Sequence, residues 1–346
     1  HESELPKPNS YLTRTIAPAA GNIGIILHRT DYADPISILW DGSQSIANGL
    51  VDGGSGVWNS AGTNWTDING LVNSAWGGTF AVFQAPGGDV TVQGSQTVNG
   101  MQFVDNGYRL LAGTGGALNL INGSSGDTSV RVDPGVTATL DLPLNGSGTL
   151  NKLDSGILVL NGNNSYSGGT TLSGGTIVVG SNTALGSGVL AANAGTTLDS
   201  NKTVALANDI SVAGPLNLSG NNNLALDGDI SGNGGLVKFG SSTLRLGGNN
   251  SYLGNTALNA GQLLLASDTA LGNGTLNAAG GTQLDSSQAV SLGNNVNLAG
   301  ELQVLGSNDL TLTAIVAGSG SLLKSRNARL TLRGANTYSG GTGLQG

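Results

Sequence analysis

The sequence predicts an all-β solenoid, a chain wound into stacked coils of short strands, and three observations carry that expectation. The first is composition. Of 346 residues, 59 are Gly and 37 are Asn, while 10% are charged and 4% aromatic. Gly and Asn belong to turns and left-handed backbone positions. Helical surfaces draw instead on Glu, Lys, Leu and Ala, and Glu occurs three times here, at Glu2, Glu4 and Glu301. The second is a repeat of 86 residues. Gly146-Ser-Gly-Thr-Leu150 returns as Gly232-Asn-Gly-Gly-Leu236 and Gly318-Ser-Gly-Ser-Leu322, and residues 146–231 and 232–317 share 39 identities in 86 ungapped positions. The third is a finer period. Leu158-Val-Leu160, Ile177-Val-Val179, Thr197-Leu-Asp199, Leu216-Asn-Leu218 and Leu236-Val-Lys238 follow one another at 19 or 20 residues. Short alternating runs bounded by Gly, Asn or Ser, returning at that interval, fit the sides of coils that pair in parallel.

Residues 1–39 read as a leading segment and cap, with Ile23 to Leu27 as a covering strand. Residues 40–145 read as irregular first coils. They hold all four tryptophans, Trp40, Trp58, Trp65 and Trp76, followed by Phe80, Phe83, Phe103 and Tyr108. A solenoid end exposes unpaired strand edges and an open core, so the aromatic cluster reads as part of the cap. An aromatic platform for sugars is the alternative. Residues 146–346 are the β-helix proper, in units 146–231, 232–317 and a shortened 318–346. A complete third unit would extend to position 403, so the chain is expected to be a piece of a longer protein.

At about 20 residues per coil, one unit should make about four coils and advance ~19 Å, and the helix should reach about 15 coils or ~70 Å. In Leu158-Val-Leu160, Leu244-Arg-Leu246 and Leu330-Thr-Leu332 the leucines share one phase while the middle residue varies. Leu158, Leu160, Leu244, Leu246, Leu330 and Leu332 are therefore expected in the core. Asn and Gly are expected at corners that need positive φ. A leucine-rich-repeat horseshoe has a similar period, but its consensus does not recur and helix formers are scarce.

The net charge is −8 and the pI near 4.5, which argues against a nucleic-acid-binding face. No Cys is present, so thiol catalysis and Cys-ligated metals are excluded. The two His, His1 and His28, lack the Gly-x-Ser-x-Gly elbow of a serine hydrolase and are too few for a His-based zinc site. No phosphate loop occurs. Asp227 and Asp229 form an i, i+2 carboxylate pair of the kind that hydrolyses glycosides or holds Ca²⁺. The next unit has Thr313 and Ile315 at those places, and the Gly-Gly-x-Gly-x-Asp calcium pattern is missing. No enzymatic activity, catalytic residue, metal or cofactor is expected. The one concentration of charge is basic: Lys324, Arg326, Arg329 and Arg333, with Arg245 outward about four coils earlier. In an acidic protein this set is the candidate ligand-binding surface for an acidic partner or sulfated polysaccharide.

Residues 146 to 171, Gly-Ser-Gly-Thr-Leu-Asn-Lys-Leu-Asp-Ser-Gly-Ile-Leu-Val-Leu-Asn-Gly-Asn-Asn-Ser-Tyr-Ser-Gly-Gly-Thr-Thr, resemble the passenger-associated transport repeat of type V autotransporters. The pattern returns at Gly232 to Thr256 and Gly318 to Thr342, with departures at Leu253 and Asn255. Gly53 to Asn59, Asn64 to Asp67 and Trp76 to Phe83 resemble the first segment of such passengers. The resemblance implies a right-handed parallel β-helix, in line with the handedness of parallel crossovers. It implies export through an outer-membrane barrel and display on a Gram-negative cell surface. Passengers of this kind are adhesins or self-association proteins, and some carry hydrolase domains. The expected function is adhesion to host extracellular-matrix protein such as fibronectin or to glycosaminoglycan, or cell–cell aggregation and biofilm formation through copies on other cells. A polysaccharide-acting enzyme and a non-binding stalk that assists secretion are the alternatives.

Overall fold

The computed structural model describes the backbone of residues 12–16 and 23–27, and residues 38–78, 80–220 and 222–345. The described residues are strands and turns with no helix. Most strands of three to five residues alternate inward apolar and outward positions and so bury one face. Leu216 and Leu218 are buried around a half-buried Asn217, and Leu224 and Leu226 around Ala225. One such strand cannot bury enough surface to stand alone, so the chain stacks them. Stacking in register aligns the apolar positions into ladders, as Leu224 on Leu244, Leu263 and Leu284.

The coil has three sides. One is a continuous 13-stranded parallel sheet from Gly56–Trp58 to Val316–Gly318. A second is the 11-stranded sheet that ends at Ile230–Ser231 and is resumed by Val290–Leu292, Leu310–Leu312 and Leu330–Leu332. The third begins with three strands ending at Leu144–Gly146 and resumes as eight strands from Val204–Leu206 to Thr342–Gln345. Thirteen stacked strands span ~60 Å, two coils fewer than the period alone suggested. Leu158, Leu160, Leu244 and Leu246 are buried as expected. Leu330 and Leu332, on the last coil, are only partly buried, because a coil covers them on one side alone.

The repeat does not close on a whole number of coils. Each of the two complete units contains eleven strands and two strandless segments, thirteen sides in all, or four and one-third coils. Equivalent residues therefore move one side around the helix with each unit. Leu150–Leu153 lies in the 11-stranded sheet, Leu236–Lys238 in the 13-stranded sheet and Leu322–Ser325 in the 8-stranded sheet. The segments around Tyr166, Tyr252 and Tyr338 take the place of a strand on three different sides. They still stack on the coil before, through Ser165 N to Leu144 O, Ser251 N to Ile230 O and Thr337 N to Val316 O, each 2.8 Å. Each Tyr hydroxyl bonds the Thr four residues on, Thr170, Thr256 and Thr342, at 2.6, 2.6 and 2.5 Å.

The expected role of Asn at positive-φ corners is corrected. Among the described residues, positive φ belongs to Gly and to Ala85, Asp154 and Arg326, and to no Asn. Asn and Asp instead latch one coil to the next. The side-chain oxygens of Asn223, Asn255, Asn295 and Asp309 accept the backbone N–H of the residue 20 further on, Thr243, Thr275, Ile315 and Arg329, at 2.8–3.2 Å. These corner amides have no strand partner, so a short side chain with a carbonyl satisfies them.

The amino end is closed by residues 38–78. Leu39–Trp40 pairs in parallel with Phe80–Phe83 but antiparallel with Trp65–Thr66, which pairs antiparallel with Asn73–Ser74. Trp40, Trp58 and Trp65 are fully buried and Trp76 packs half-buried against them, with edge-on contacts of 4.9–5.3 Å for Trp40–Trp65, Trp58–Trp65 and Trp58–Trp76. Three tryptophans without solvent access offer no platform for sugars. Ile23–Leu27 does form a strand, but its partner is Leu12–Ile16, in a two-stranded antiparallel sheet separate from the solenoid sheets. The rest of residues 1–37, and so most of the expected cap, lies outside the described residues, as does His28.

Candidate binding surface

The basic residues divide by the alternation of their strands. Lys152, Lys238 and Lys324 occupy the inward phase of Leu150–Leu153, Leu236–Lys238 and Leu322–Ser325 and are buried. A buried ammonium needs acceptors. Lys152 Nζ donates to the carbonyls of Leu153, Asp154 and Gly174 at 2.7, 2.9 and 3.3 Å. Lys238 donates to Phe239, Gly240 and Ala260, and Lys324 to Ser325 and Arg326. Burial pushes Lys152 and Lys238 down to about 8. These lysines close a bend of the coil from inside, and the Lys324 ammonium is directed away from a ligand at the surface.

The arginines are outward. Arg245 pairs with Asp227, and Arg329 with Asp309 at 3.5 Å, so both carry a compensating carboxylate on the neighbouring coil. Arg326 occupies a left-handed corner with φ of 57° and donates to Ser307 Oγ at 2.7 Å. Arg333 is exposed and makes no ion pair among the described residues. The extra third of a coil per unit also separates the set. Arg245 lies on the 8-stranded side, whereas Arg329 and Arg333 flank Leu330–Leu332 on the resumed second side. Arg326 and Arg333 are thus the two outward arginines of the candidate set without a carboxylate partner among the described residues, Lys324 being buried on backbone carbonyls.

The carboxylates are committed to structure as well. Asp227 holds Arg245, and Asp229 Oδ1 accepts the Asn249 N–H at 2.7 Å. No group of three or more His, Cys, Asp or Glu able to hold a metal occurs among the described residues. Two features were not legible as sites in the sequence. One is the pair of buried bridging amides Asn164 and Asn250, 86 residues apart, with the half-buried Asn336 of the last coil accepting only the Val316 N–H. The other is a groove on the outer face of the second side, lined by Phe80, Asn99, Asp127, Ser129 and Asn151. Its residues come from four coils and share no motif.

A three-sided parallel β-helix with an aromatic cap, whose repeat unit turns by one side per 86 residues, defines a passenger-type solenoid. The passenger-associated-transport-repeat family matches residues 150–179, 236–265 and 327–346. Those spans begin at or beside the strands carrying the buried lysines and core leucines and include the tyrosine segments. The chain is also 34% identical over 296 residues to the adhesin BmaC autotransporter of Brucella suis biovar 1 (strain 1330). That alignment covers 79% of this chain and 8% of the relative's length. No solved structure matches the chain. The chain belongs to the autotransporter passenger domains built on this repeat.

Proposed function

We propose that the chain is an adhesive part of a passenger displayed on the outer surface of a Gram-negative bacterium, carried by an outer-membrane barrel elsewhere in the full protein. It binds extracellular partners and does not catalyse a reaction. The observation that supports this reading is the turning repeat. Because each unit shifts by one side, repeat-equivalent surface appears on all three sides along ~60 Å of stacked strands. Such a rod presents related contacts to partners in any direction, which suits avidity between surfaces that carry many copies. The relative's name, an adhesin, agrees with this reading. Host matrix protein such as fibronectin, glycosaminoglycan, or copies on other cells are the partners it fits, with Arg326 and Arg333 as the cations that face solvent for an acidic one. The test is display of the chain on a non-adherent bacterium, followed by binding to fibronectin- and heparin-coated plates and by settling of the culture. No gain in any of the three, with surface display verified, would refute the proposal.

A further inference from the structure

The outer face of the second side carries a groove that none of the repeat features explains. Phe80, Gly100, Ser129 and Asn151 stand in one register row across four successive coils. Gly100 has no side chain to lift the ring above it. A Cβ there would lie 2.5 Å from two Phe80 ring carbons, so the ring occupies the space that the glycine leaves open. Beside this row rises the loop from Ile121 to Asp127, longer than the other turns that enter this side. It is held by Thr128 Oγ1 to Ile121 O at 2.7 Å, Gly123 N to Asp127 O at 2.8 Å and Gly126 N to Gly123 O at 3.0 Å. The groove encloses about 210 Å³. Sites that take a drug-sized ligand run to roughly 300–1,000 Å³, so this one fits a single ring.

Its chemistry is selective. Asp127 is held by three donors at 2.7 Å: Ser125 Oγ and Ser129 Oγ on Oδ1, and Asn151 Nδ2 on Oδ2. Burial works against its ionisation, but these donors outweigh it and keep the carboxyl below the usual carboxylate range. A fixed carboxylate with spare lone pairs accepts from hydroxyl groups. The Asn99 amide at the rim makes no side-chain hydrogen bond among the described residues. The one cation in the groove, Arg131, is neutralised by Asp154 at 2.9 Å. The remaining charge is that of Asp127, which repels sulfate and carboxylate.

We propose that this groove is a subsite for one ring of a neutral saccharide, with a C–H face of the ring on Phe80 and its hydroxyls on Asp127 and Asn99. The subsite deepens the adhesive reading and rests on it for its biological setting. Its chemistry differs from that of the arginines, which would attract acidic chains.

The test uses the purified chain on an array of neutral, sialylated and sulfated glycans, with saturation-transfer NMR against the best binders. Neutral glycans should bind, and Phe80→Ala and Asp127→Asn should each lose at least tenfold. Asn99→Ala, at the rim, should weaken binding without lowering the melting temperature, and so separates binding from folding. Absence of neutral-glycan binding, a preference for sulfated or sialylated chains that persists when Arg326 and Arg333 are both changed to Ser, or wild-type binding by folded Asp127→Asn and Asn99→Ala would overturn the subsite. So would capture of an unglycosylated peptide through the same residues without glycan binding. Glycan binding by a chain that confers no adhesion on cells would instead sink the adhesive reading and leave the subsite standing.

Discussion

Asn250→Ala tests whether the coils depend on internal side-chain bridges where a strand is missing. Asn250 is 4% exposed and sits in the strandless segment before Tyr252. Its Oδ1 accepts the Ile230 N–H on the preceding coil at 2.8 Å, and its Nδ2 donates to the Ala270 carbonyl on the following coil at 2.6 Å. Truncation leaves one buried donor and one buried acceptor unpaired. At ~1–3 kcal/mol for each stranded group, the loss is ~2–6 kcal/mol, reduced if water enters. Asn255 is the control. It accepts the Thr275 N–H at 3.0 Å at an exposed corner, where water replaces it, so Asn255→Ala should cost less than ~1 kcal/mol. Urea unfolding measures both, and amide exchange localises the damage, since neighbours in a solenoid couple chiefly to neighbours. Faster exchange should concentrate at the coils of Ile230 and Ala270. Equal destabilisation by the two variants, or exchange that rises uniformly along the chain, would refute the bridging argument.

Three further outcomes follow from the same structure. Leu244→Asp puts an unpaired charge into the ladder of Leu224, Leu244 and Leu263 and should cost several kcal/mol in thermal or urea unfolding; near-wild-type stability would remove Leu244 from the core. Lys152 and Lys238 fall to about 8 in the fold against 10.5 unfolded, so above pH 8 the unfolded chain binds more protons and stability should rise. Above pH 10 the buried hydroxyls of Tyr108, Tyr166 and Tyr252, raised by desolvation, keep protons that the unfolded chain loses, and stability should fall again. Melting temperatures from pH 7 to 11 check the maximum, and Lys238→Met should flatten the rising limb. Finally, Arg326→Ser with Arg333→Ser should weaken heparin binding and lower its salt dependence, whereas Arg245→Ser, which removes a compensated charge, should change it little; heparin chromatography over a salt series separates the two.

The sequence by itself determined the all-β solenoid, the inward leucines, the 86-residue unit and the aromatic closure of the amino end. These follow from alternation within a strand and from duplication, and both are written in neighbouring residues. The tertiary structure decided what depends on the residue 20 positions away. Lys324 reads as a surface cation until its place in the inward phase of Leu322–Ser325 is known. Arg245 looks free until Asp227 on the adjoining coil is seen beside it. Asn looks like a left-handed turn former, yet its work is to accept amides of the next coil, and sequence statistics do not separate the two roles. The number of sides per unit decided most. A period of 19 or 20 residues in a unit of 86 leaves more than four coils, but only the sheets fix the excess at one third, and that third of a turn carries each repeat-equivalent side chain to a different side of the helix.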